Sequence, residues 1–172
     1  RGWARLPDFA MLEPLVSQPV LVSARRTPIG KFMGGFRDLP APALAAAAAR
    51  VAVSDAGLKP EEIDEALFGH GRQAGNGPNT ARQASLRAGL PDSVPAWTLN
   101  KACASGLQAI VTAGERIRLD EAKIVLAGGM EAMSRTPFLL PRFRDGYRLG
   151  NAEVLDGMVL DGFLCPMSHL LM

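Results

Sequence analysis

The sequence predicts an α/β fold: a largely parallel sheet, with some mixed character, covered by helices. Three observations carry that expectation. Short apolar runs of strand length alternate with longer helical patterns in the order β-α-β-α-β-α-β. An alanine-rich composition with only 6% aromatic residues favours closely packed helices over an all-β protein. The 172 residues, 48% of them hydrophobic, suffice for one domain with a substantial core. In sheets of this order the crossovers are right-handed, and sites gather at the carboxyl ends of the strands.

Residues Arg1–Pro19 read as a lead outside the fold, either disordered or a cloning remnant, with Met11 as a native start. Pro7, Asp8, Glu13 and Pro14 interrupt the apolar core a secretory signal needs. Arg1 and Arg5 would suit an organelle transit remnant, but Asp8 and Glu13 count against one. Val20–Ala24 is a short apolar run, expected as a buried first strand, and Pro28 and Gly30 force a loop after it. Pro40–Ala56 reads as an alanine-rich helix with Gly57 at its end. Lys59–Asp64 is a turn with a short helical start, and Glu65–Gly69 a second strand. The glycine-rich stretch His70–Pro78 must be a loop. Its spacing matches neither phosphate-binding pattern. Asn79–Ala88 is a helix ended by Gly89, Ala96–Leu99 the third strand, and Cys103–Leu119 the helix after it. Lys123–Gly129 is the clearest buried strand. Arg135–Leu164, punctuated by proline and glycine, reads as a long surface excursion, and the chain stops at Met172 as though inside a larger fold.

The stretch Asn100–Ile110 holds the strongest chemical signal. Cys103 stands at the mouth of a helix whose Leu107, Ile110, Val111, Gly114 and Ile117 share one face. Unpaired backbone N–H groups and the positive end of the helix dipole favour a thiolate there. The small neighbours Ala102, Ala104, Ser105 and Gly106 let an acyl group and backbone donors approach the sulfur. Taken alone, such a cysteine has a structural reading beside the catalytic one. Cys165 has a buried, inert reading. A disulfide joining it to Cys103 would disable the site. His70 is expected to satisfy loop hydrogen bonds and Arg82 to form a structural ion pair. Arg142, Arg144 and Arg148 are expected on a solvated face or at subunit contacts, and Met130 and Met133 beneath the nucleophile. A net charge of +2 does not point to nucleic acid or a membrane surface, and no apolar run reaches spanning length. Two cysteines make no disulfide framework, which favours a reducing compartment, cytoplasmic or alternatively an organelle matrix.

Four motifs in order resemble the N-terminal half of the thiolases: Ser23–Gly30, Asn79–Ala84, Asn100–Gly106 and Ala127–Ser134. The resemblance implies a thiolase-like layered fold, with 20–134 as the nucleophile-bearing domain and 135–172 as the start of a loop, oligomerisation and CoA-channel region. It implies reversible Claisen condensation of acetyl-CoA, or thiolysis of acetoacetyl-CoA or another 3-ketoacyl-CoA, through an acyl-Cys103 thioester. No metal or redox cofactor is implied, since coenzyme A is the substrate carrier. Asp161–Phe163 looks like the start of the pantetheine channel, and His169 and Met172 are the substrate-binding candidates. By the same resemblance, Ala96–Leu99 would form a homodimer and Gly146–Gly150 a homotetramer. The family's N-E-A-F segment, G-H-P histidine and C-x-G-G-G cysteine do not occur in these residues, so the segment alone is expected to be inactive. A related condensing enzyme of ketoacyl synthase type, and a non-catalytic thiolase half acting in assembly, are the alternatives.

Overall fold

A computed structural model describes residues 18–172, so most of the lead expected over Arg1–Pro19 lies outside the described residues. In chain order the elements are α1 (Ala41–Asp55), β1 (Glu65–Gly69), α2 (Thr80–Ala88), β2 (Ala96–Leu99), α3 (Ser105–Arg118), β3 (Val125–Gly129), β4 (Phe138–Leu139), β5 (Leu155–Asp156) and α4 (Gly157–Leu160). The strands β2-β1-β3 form a three-stranded parallel sheet in that spatial order, with Leu67 level with both Trp97 and Ala127. Strand β1 is therefore central, and every one of its residues is buried.

Alternate side chains of β1 serve different layers, as the pleat requires. Phe68 packs with Ala45, Ala49, Ala84 and Leu126 on the side of α1 and α2. Leu67 packs with Ala109 and Ala113 of α3 on the other. The alanine run of α1 thus has a physical purpose: its buried face of Ala41, Ala45, Ala49 and Val53 recurs every four residues and seats the helix closely. Glu65 is only 6% exposed, yet it is fully engaged, accepting from Trp97 Nε1 at 2.8 Å and from Arg116 Nε at 2.7 Å. One buried carboxylate ties the central strand to β2 and to the end of α3.

The expected strands at 65–69 and 96–99 form over those same residues, and the remaining helices start or stop within two residues of expectation. Two expectations need correction, and the orientation of α3 adds a finding of its own. Val20–Ala24 is not a buried strand. It is coil, with Val20, Leu21 and Val22 at 74, 80 and 68% exposed, and among the described residues no backbone bond links it to the sheet. It runs beside α1, α3 and β3 around a shared cavity. An apolar run becomes a strand only where its N–H and C=O groups find a ladder, and here they find none.

Strand β3 is less buried than its sequence implies, with Leu126 its one buried residue, because it stands at the sheet edge. Finally, the large apolar side chains of α3 do not face the sheet. Leu107, Ile110 and Val111 are exposed, and the helix packs through Ser105, Ala109 and Ala113, the residues small enough for its close seat. No helix among the described residues is long and apolar enough to cross a membrane. The excursion after β3 contains the antiparallel pair β4-β5, with Phe138 opposite Asp156, and the short α4.

Candidate active site

The carboxyl ends of all three parallel strands meet at the start of α3. His70 N donates to Leu99 O and Met130 N to Gly69 O, both at 3.0 Å, carrying the ladder one residue past each strand. The approach there is backbone on backbone. A Cβ added to Gly69 would overlap the Ser105 main chain, and one added to Gly129 would come within 2.8 Å of Gly106 Cα. Glycine is the residue that permits this contact.

Cys103 lies in the tight turn that leads into α3. The helix begins at Ser105 with Ala104 as its cap, so Cys103 precedes it rather than opening it. The turn is held by side chains on both sides of the sulfur. Asn100 Oδ1 accepts from Ala102 N at 2.9 Å, while its Nδ2 donates to Gly71 O at 3.1 Å. Ser105 Oγ accepts from Lys101 N at 2.8 Å and donates to Ala102 O at 2.6 Å. Ala102 is thereby kept at φ +48°. Cys103 is exposed, and both cysteines are free thiols. In the first turn of α3 the amides of Gly106 and Leu107 donate to no acceptor among the described residues, as expected of a helix start.

Behind the turn stands Glu131, just beyond the end of β3. Its carboxylate accepts from Gly71 N at 3.1 Å and from Arg72 N at 3.0 Å. His70 Nε2 lies 3.2 Å from Glu131 Oε1, a polar contact without the alignment of a directed hydrogen bond. The opposite ring nitrogen of His70 meets Thr80 Oγ1 at 2.9 Å. Burial pushes the Glu131 carboxyl upward, but the His70 side chain and the two amides outweigh it and hold the group below its ordinary range.

Arg72 reaches away from Glu131 across the opening. Its Nη1 donates to Asp161 O at 3.1 Å, and its guanidinium carbon stands 4.8 Å from the centre of the Phe163 ring. The cavity enclosed has a volume of about 800 Å³, and its walls include Cys103, Arg72, Met130, Met133, Phe163 and Met172. That is within the usual size range for small-molecule sites, roughly 300–1,000 Å³.

Of the expected substrate-binding pair, Met172 lines this cavity with Cys103. His169 does not line it; it sits in an exposed turn at φ +56° with its amide donating to Cys165 O at 2.8 Å. Met130 and Met133, expected beneath the nucleophile, instead wall the cavity it faces, Met130 while largely buried. Arg82 is structural, although it serves the carbonyls of Val94 and Asp92 and not an acid. Arg142, Arg144 and Arg148 are all exposed. Sequence reasoning missed Arg72, Glu131 and the role of His70. The available signal was positional: each lies within three residues of a strand's carboxyl end in a parallel sheet.

Residues 19–172 match the family model described as the thiolase N-terminal domain. The chain belongs to the thiolase family. It is 49% identical over 143 residues to an acetyl-CoA acetyltransferase of Cupriavidus necator, a match covering 83% of this chain and 36% of that thiolase. A probable acetyl-CoA acyltransferase of Staphylococcus aureus is 47% identical over 147 residues, covering 86% of the chain and 37% of the relative. The crystal structure of the Bacillus anthracis acetyl-CoA acetyltransferase superposes with a TM-score of 0.85 at 39% identity, over 89% of this chain and 39% of that one. The chain thus spans little more than a third of the length of these relatives.

Proposed function

We propose that this chain is the nucleophile-bearing part of an acyl-CoA:acetyl-CoA C-acyltransferase, acylated on Cys103. The observation that supports the reading best is the free, exposed thiol of Cys103, held on a braced turn at the carboxyl edge of a parallel sheet and facing a cavity. In condensation, the Cys103 thiolate attacks the acetyl-CoA carbonyl. A sulfur–carbon bond forms, the bond to the CoA sulfur breaks, and the proton lost by Cys103 goes to the departing CoA thiolate. A second acetyl-CoA, deprotonated at its methyl, attacks the acyl-enzyme and frees the Cys103 sulfur. Thiolysis of a 3-ketoacyl-CoA such as acetoacetyl-CoA is the reverse. Unpartnered amides at the start of α3 suit the negative charge on the carbonyl oxygen.

The base that activates Cys103 and the group that deprotonates the second acetyl-CoA come, in this reading, from residues outside these 172. Met172, which shares the cavity with Cys103, stands towards the substrate channel in this reading, and His169, outside that cavity, has no part in it. The protein pairs through Ala96–Leu99 into dimers and through Gly146–Gly150 into tetramers, and it works in the cytoplasm or, alternatively, an organelle matrix.

The test is to incubate the full gene product and the 172-residue chain with acetyl-CoA and examine the Cys103 peptide by mass spectrometry. An acetyl adduct in the full product, absent after Cys103→Ser, is expected. The isolated chain should carry little or none. No adduct in the full product would overturn the mechanism.

A further inference from the structure

We infer that Arg72 is a positioning residue that clasps the Leu160–Leu164 segment over Cys103, and that this clasp restricts the site to short acyl groups. The inference builds on the acyl-transfer reading of Cys103. Its structural basis is a three-part contact between segments far apart in the chain. Arg72 Nη1 bonds Asp161 O at 3.1 Å, and the guanidinium stands over the Phe163 ring at 4.8 Å. Between those contacts the guanidinium occupies the space where a Cβ of residue 162 would stand, so the clasp closes only over a glycine. The other end of Arg72 is fixed as well, since its amide donates to Glu131 at 3.0 Å.

Charge is not what holds the guanidinium. Among the described residues it pairs with no carboxylate, and its Nε is buried without a partner. It acts as a flat bar, using one carbonyl and one aromatic face. Leu160, Phe163 and Leu164, the segment so held, wall the same cavity as Cys103. The nucleophile turn shares the mount, because Gly71, next to Arg72, accepts the Asn100 side chain. With the bar in place, an acyl chain on the sulfur meets a fixed apolar wall. Without it, the segment has lost both of its ties to the β1 loop.

The clasp is tested on the full gene product with N-ethylmaleimide and N-octylmaleimide, which share one reactive head and differ in tail length. Rates are read on the Cys103 peptide by mass spectrometry, separately from Cys165. In Arg72→Ala and in Gly162→Ala, the octyl rate relative to the ethyl rate should rise by roughly tenfold, the loss of one hydrogen bond and one cation–π contact. Amide exchange over 160–164 should quicken while that of β1 stays slow. The double variant should match the singles, because both remove one device. Arg72→Lys, which keeps a donor for Asp161 O, should fall between wild type and Arg72→Ala. Arg72→Met carries the same test if the alanine variant does not fold. An unchanged rate ratio in a folded variant, or a double variant whose effect is the sum of the singles, overturns the proposal. Maleimides need only the sulfur, so the outcome is independent of acyl transfer. An altered ratio without an acetyl adduct removes the catalytic reading and leaves the clasp, and the converse result removes the clasp alone.

Discussion

Glu131 carries its charge beside the nucleophile turn because two amides donate to it and the His70 ring lies against it. A carboxyl held below its ordinary value of 4.5 stabilises the fold above that pH, and the contribution is lost as pH falls through the lower folded value. Resistance of the wild type to urea should therefore fall below about pH 4.5, and Glu131→Gln should show a shallower loss over the same range. His70 stands behind it, 1% exposed and bonded to Thr80. His70→Ala leaves the Thr80 hydroxyl and Glu131 without that partner, and the expected cost is about 2 kcal/mol by denaturant titration. Cys103 was legible in the sequence because its signal is local: small residues, a strand before, a helix after. Arg72 and Glu131 were not, because they work across 59 residues of chain, and Arg72 and Asp161 across 89. No window of sequence contains those partners together.

At the scale of elements, local chemistry decided what could be foreseen. Helix α2 opens on Asn79, whose side chain accepts from Arg82 N at 3.1 Å and donates to Ala96 O at 2.8 Å, so one residue caps the helix and binds it to β2. Asn79→Ala should lower stability by about 1–2 kcal/mol, at the upper end for a cap because the tie to the sheet goes too. Asp64 performs a similar service for β3, accepting from Lys123 N at 2.7 Å and Ile124 N at 2.9 Å. At the centre, Leu67 has no exposed surface. Leu67→Ala should cost about 2–5 kcal/mol, visible as a lowered thermal midpoint. These elements have strong periods and clear punctuation. Val20–Ala24 has an equally good apolar pattern, yet whether a run pairs depends on what lies beside it, and that is not written in the run itself. The outward apolar face of α3 is the same lesson: the period was right, but the sheet selected the small residues.

For the whole molecule, the longest exposed stretch after β3 lies in the excursion that follows it. Arg142–Gly150 is exposed throughout, between the two short strands β4 and β5 that pair with each other. If this loop pairs dimers as proposed, deleting 142–150 from the full gene product should give dimers by light scattering where the parent gives tetramers. An unchanged mass would remove that assignment.

The glycine contact at Gly69, Gly106 and Gly129 has a consequence for how this protein can change. The nucleophile turn rests on the strand ends through close main-chain contact at these glycines, with the Asn100 side chain tying it to Gly71 beside them. Its mount cannot be retuned by small steps: any larger residue forces the backbones apart. The roof at 160–164 meets Arg72 through the Asp161 carbonyl, the open face of Gly162 and the Phe163 ring, so the ring and the guanidinium are the parts that exchange can alter. Substitution can thus reshape what the sulfur accepts while leaving where the sulfur stands untouched. In the clasp reading, reactivity and selectivity sit in separately mutable parts of one small structure.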